Sequence, residues 1–186
     1  MNKKTLVKYL CQSILSFLLY INCFGQSEKL DSLKKILPTL QDTSLVNCLN
    51  ELCSSYIEIH TDSALFFASR AIAEAEKLNY IKGKALAFYN LGFNERIVGT
   101  YPPMEEYGAK AVALLEGTHK QSDKLQLARS YELLGFSKWA QGKFDEALTN
   151  YKDAERLALE IGNDTFLGFL YAAMGALETQ RGQYKN

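Results

Sequence analysis

The chain has 186 residues, with 21 basic and 21 acidic side chains, no net charge and only three prolines. That length allows one compact domain or a short solenoid, and no basic face is evident of the kind that displaces counterions from nucleic-acid phosphates. Residues 1–25 hold Lys3, Lys4 and Lys8 and no acid, so the remainder is acidic by three charges; plentiful Ala, Leu, Glu and Lys favour helix.

At the N-terminus the three lysines precede an apolar stretch from Leu10 to Phe24, interrupted by Gln12, Ser13, Ser16 and Asn22. This is the layout of a secretory signal peptide over residues 1–25, with cleavage expected before Gln26 and export to a periplasmic or extracytoplasmic space. Its uninterrupted part, Phe17 to Ile21, is far short of the roughly 20 residues that span a bilayer. Lipid modification of Cys23 is a rival reading, disfavoured by the preceding Asn22, and retention as an uncleaved anchor is another. Membrane contact is expected only through this segment or through a span downstream of Asn186.

Residues 26–43 are expected to form a capping unit. Within it Ser27–Leu37 is a short amphipathic helix with Leu30, Leu33, Ile36 and Leu37 on one side, stopped by Pro38. Helical hairpins should follow over about 44–81, 84–121 and 124–162, with an incomplete fourth over 165–186. Asp62 is the expected N-cap of the first hairpin's second helix. Pro102 and Pro103 suit a first helical turn, where a missing N–H costs nothing, and Glu105 and Glu106 suit the positive end of that helix. Gly83, Gly117 and Gly162 are expected to break helices. Cys48 and Cys53, about 8 Å apart on one helix, lie beyond disulfide reach and read as two small buried side chains.

A glycine pair seven residues apart, followed by an aromatic two further on, recurs along the chain. It appears as Gly92, Gly99 and Tyr101, as Gly135, Gly142 and Phe144, and as Gly175, Gly182 and Tyr184. An earlier, degenerate copy has Cys53 in place of the first glycine. A second register, Ala64, Ala68 and Ala71, recurs as Ala147, Tyr151 and Ala154, and more loosely as Met104, Gly108 and Ala111. Glycine inside a helix costs about 1 kcal/mol relative to alanine. Close approach of two helix backbones compensates for that cost, and the alanines serve the same contact from the facing helix. The second glycine of each pair reads as the turn between helices.

Tyr131-x-x-Leu134-Gly135 followed by Ala147-x-x-x-Tyr151-x-x-Ala154 resembles the tetratricopeptide repeat, and Phe88-x-x-Leu91-Gly92 resembles its first half. The resemblance covers Val46 to the end and implies an all-α superhelix, a solenoid of antiparallel helical hairpins. The period is near 40 rather than 34 residues, which points to a long-helix variant, and the usual closing proline is absent.

The resemblance further implies that an extended peptide or protein partner lies in a concave groove lined by the first helix of each hairpin. By spacing from each glycine the groove should expose Tyr89, Phe93 and Arg96, then Arg129, Glu132, Phe136 and Trp139, then Ala172, Thr179 and Gln180. Trp139, a rigid aromatic flanked by arginines, leads this set. The competing reading is that Phe93, Phe136 and Trp139 pack between adjacent repeats. One subfamily grips a carboxylate with paired Lys and Asn; here only Asn90 is in keeping.

No catalytic set, phosphate-cradling loop or metal-ligand spacing occurs, so neither an enzyme nor a cofactor is expected. The ending just after the fourth interhelix turn suggests the N-terminal, sensory part of a longer membrane-bound signalling protein. A single last helix acting as the cap is the alternative. The runner-up function is an oligomerising spacer without a soluble ligand.

Overall fold

The computed structural model describes residues 28–184, all of which fall in helices or the short links between them. The expected signal segment, residues 1–25, lies outside the described residues. The chain divides into two compact units, one up to Leu40 and one from Gln41 onward. In the first, a helix over 28–36 passes into a 3-10 turn at Leu37–Thr39, with Pro38 inside that turn rather than beyond the helix. Leu30 is buried, but Ile36 is 44% exposed, so the expected apolar side is only partly covered. The last helical turn is instead tied to Thr39, whose hydroxyl donates to the Ile36 carbonyl.

The second unit contains seven helices among its described residues: α1 Asp42–Tyr56, α2 Thr61–Lys77, α3 Ile81–Val98, α4 Tyr101–Leu115, α5 Gln121–Ala140, α6 Phe144–Ile161 and α7 Asp164–Tyr184. Each packs on the next, and α1 also touches α3 as α3 touches α5. No comparable contact joins α2 to α4 or α4 to α6. Helices α1, α3 and α5 therefore crowd together on the inner side of the array, and α2, α4 and α6 splay on the outer side.

The links explain where the helices stop. Gly99, with φ +86°, caps α3, and Gly142, with φ +76°, lies between α5 and α6; both adopt the left-handed conformation that costs glycine no steric strain. Gly117 and Gly162 break the chain as expected. Gly83 does not. It lies inside α3, where a Cβ would meet the Tyr80 ring at 2.5 Å and Val46 Cγ1 at 2.6 Å, and the break before α3 falls at Asn79 with φ +51°. Gly182 also departs from expectation, since α7 runs through it to Tyr184 without a turn. The N-cap of α2 is His60, whose Nδ1 accepts from the Ser63 amide at 3.3 Å; Asp62 sits in the first turn instead. Pro102 occupies the start of α4 as expected.

Close helix approach occurs where small residues were placed. Ala64, Ala68, Ala71 and Ala75 of α2 are buried, as are Ala147 and Ala154 of α6. A Cβ on Gly135 would lie 2.9 Å from the Tyr151 ring and 3.2 Å from the Ala147 carbonyl oxygen. Cys48 and Cys53 are buried thiols, and burial pushes the Cys53 thiol up to about 12.

Candidate interaction groove

The inner surface is built from one face each of α3 and α5. Tyr89 and Phe93, one turn apart on α3, stack with ring centroids 6.1 Å apart. Arg96, the next turn along, lies 5.7 Å from the Phe93 ring and 3.9 Å from the Phe136 ring of α5. Phe136 in turn meets Trp139 edge to face at 5.9 Å. Five of the residues expected in the groove, Tyr89, Phe93, Arg96, Phe136 and Trp139, thus form one continuous row, in which Arg96 joins the two repeats through cation–π contact.

Glu132 departs from expectation. Glu132 was placed among the exposed residues, yet it is 4% exposed and pairs with Arg96 Nη1 at 3.0 Å. Burial holds its carboxyl above the usual carboxylate range against the opposing pull of Arg96 and Arg129. A carboxylate taken from water is retained only when paired and hydrogen-bonded. Arg96 therefore ties α3 to α5 through its charge as well as through the Phe136 ring. Tyr89 feels the same environment: its hydroxyl is pushed up to about 12, by burial first and by the Glu132 charge second.

Trp139 is half-buried and its indole N–H donates to Gln180 Oε1 of α7 at 2.6 Å. Its ring packs against the buried cluster of Ala147, Tyr151, Leu170 and Leu177, so part of it serves the contact between repeats. Arg129 is exposed and forms no ion pair among the described residues. Of the fourth-repeat residues, Ala172 and Thr179 are exposed and Gln180 accepts from Trp139.

A ladder of polar contacts between successive odd-numbered helices was not foreseen from the sequence. Asn90 Nδ2 donates to the Asn50 carbonyl at 3.2 Å, and Asn50 Nδ2 donates to the Gly83 carbonyl at 3.0 Å. Both asparagines are buried, so Asn90 has no role open to it as a carboxylate grip. Arg96 to Glu132 and Trp139 to Gln180 continue the ladder. The available signal was complementary residue types about one repeat apart, at separations of 40, 36 and 41 residues. Such pairs carry no local pattern and emerge only once the register of the helices is known.

The crystal structure of a Rap protein complexed with competence and sporulation factor is similar over 81% of this chain, with a TM-score of 0.66 and 25% identity. The fold is a tetratricopeptide-like helical array. The chain covers 41% of that Rap protein, so it spans less than half the length of its neighbour. No protein-family model and no curated protein matches the chain.

Proposed function

We propose that the chain is an interaction module that holds a protein or peptide partner in the groove formed by α3 and α5. The observation that carries this reading is the row of Tyr89, Phe93, Arg96, Phe136 and Trp139 on the inner side of the array. The likeness to a Rap protein solved in complex with competence and sporulation factor supports it. Rigid aromatics interleaved with arginine supply large contact area at low entropic cost. Arg129, exposed beside them, is the cation free to meet an acidic group on the partner. Residues 84–162, with their period near 40, correspond in this reading to the long-helix form of the repeat.

The N-terminal lysines and apolar stretch support export, so the module works outside the cytoplasm, and its use as the sensory part of a membrane-bound signalling protein extends the same reading. N-terminal sequencing of the protein from periplasmic and extracellular fractions tests export, with Gln26 as the expected first residue. A chain that starts at Met1 and stays in the cytoplasm contradicts it. The groove is tested by partner capture with Arg129→Ala and Phe93→Ala, both expected to weaken it; unchanged capture by both removes the groove assignment. An oligomerising spacer is the second reading, favoured by the exposed Phe169 and Tyr171 of α7. Sedimentation of the purified chain without ligand separates the two.

A further inference from the structure

We infer that the face of α7 bearing Gly168, Tyr171 and Gly175 is a docking surface for one partner helix of the same kind as α4 and α6. The inference does not rest on the groove reading. In α3, a Cβ on Gly92 would lie 3.4 Å from the Met104 carbonyl and 3.4 Å from Tyr107 Cβ, both on α4. In α5, the corresponding contact at Gly135 is with the Ala147 carbonyl of α6. Met104 and Ala147 each lie twelve residues past their glycine, so the same contact is made twice. Seven residues before each glycine stand Ala85 and Ala128, and both are fully buried.

The equivalent positions on α7 are Gly175 and Gly168. Both are exposed, and a Cβ on either would meet nothing within 4 Å among the described residues. Tyr171, which corresponds to the half-buried Phe88 and Tyr131, is 50% exposed with its hydroxyl hydrogen-bonded to Glu155 of α6, and Phe169 is 46% exposed. The adjoining side of α7 is committed, with Leu167, Leu170 and Leu177 buried in the cluster that includes Ala147 and Tyr151 of α6. The bare face of α7 therefore continues, one repeat further on, the interface already formed by α3 with α4 and by α5 with α6.

That continuity fixes the chemistry of the occupant. It is an antiparallel amphipathic helix with small residues spaced as Ala147 and Ala154 are, so that its backbone can reach Gly175. A second copy of the chain presents no such helix, because Met104, Gly108, Ala111, Ala147, Tyr151 and Ala154 are all buried in their own array.

A labelled peptide of residues 143–162, the α6 sequence, serves as the probe, with binding to the full chain read by fluorescence anisotropy. Saturable binding is expected, weakened at least about tenfold by Gly175→Leu, a substitution with room around it that does not lower the melting temperature of the chain, since leucine is the better helix former. Isolated helices of this length are marginal in water, so the same sequence is also fused after Asn186. The fusion is expected to raise the melting temperature relative to the unfused chain, and to give no such gain when both carry Gly175→Leu. Indifference of both measurements to Gly175→Leu overturns the inference. So does a wild-type dimer that Gly175→Leu dissociates, since a second copy would then be the occupant.

Discussion

At Gly135 a side chain has no room, because the Tyr151 ring and the Ala147 carbonyl both stand within 3.2 Å of where its Cβ would be. Gly135→Leu must push α5 from α6, and overpacking of this kind costs about 1–3 kcal/mol or more. Thermal denaturation is expected to show a clear loss of stability; a variant that melts like the parent contradicts the helix-contact account. Arg96 gives a second prediction with a sign in pH. Arg96→Ala leaves the Glu132 carboxylate buried without its partner, at a cost of about 3 kcal/mol. The folded-state value of Glu132 is already raised by burial. In the variant the folded chain binds a proton more readily than the unfolded one, so stability should recover as pH falls toward the unfolded value of 4.5. Glu132→Gln, which keeps an oxygen for Arg96, should cost less than Arg96→Ala. The close contacts of Gly92 and Gly135 were legible from their period, whereas that of Gly83 was not. The burial of Glu132 was not legible either, because its exposure depends on how far α3 and α5 tilt toward each other.

Among the elements, α6 was legible to the residue, since Phe144 follows a turn glycine and Gly162 ends the run. Helices α3 and α5 begin three residues earlier than their patterns suggest, at Ile81 and Gln121. Gly83 masked the first of these starts, because a glycine that tertiary packing demands looks the same in sequence as one that ends a helix. Glu105 shows how a local rule is overtaken by a longer contact. It was assigned to the helix dipole, yet its carboxylate meets Lys138 at 2.7 Å and Lys143 at 3.5 Å, and Gln141 donates to it at 2.7 Å, all across the α4–α5 interface. Lys138 holds the Glu105 carboxyl below its ordinary value, and Glu105 and Glu146 hold the Lys138 ammonium above its own. The Glu105 contribution is present above its unfolded value of 4.5 and is lost as pH falls through the lower folded value. The Lys138 contribution is present below 10.5 and is lost as pH rises through the higher folded value. Lys138→Met should therefore lower the melting temperature near neutral pH and flatten both limbs of its pH profile. A profile unchanged in shape would show that the network adds nothing at this interface.

At the scale of the whole molecule, the array follows from a repeat in which each hairpin must stack on a neighbour to cover its apolar face. The two registers of small residues carried that much in the sequence, and the inner row of Tyr89, Phe93, Arg96, Phe136 and Trp139 followed from the register alone. What spacing could not supply was the division of labour within the row. Trp139 gives its N–H to Gln180 and Arg96 gives its charge to Glu132, which leaves Arg129 as the exposed cation. Arg129→Ala is accordingly expected to weaken partner capture with the melting temperature unchanged, whereas Arg96→Ala lowers both.

The most direct measurement of the central claim is site-specific photo-crosslinking from the two sides of the array. A photoreactive side chain is placed at Phe93, on the inner row, and in a second variant at Ala113, which is exposed on α4. If the groove holds the partner, a discrete crosslinked product forms from position 93 and not from position 113, and Arg129→Ala reduces it. Equal products from both positions, or a product from position 113 alone, would contradict the claim.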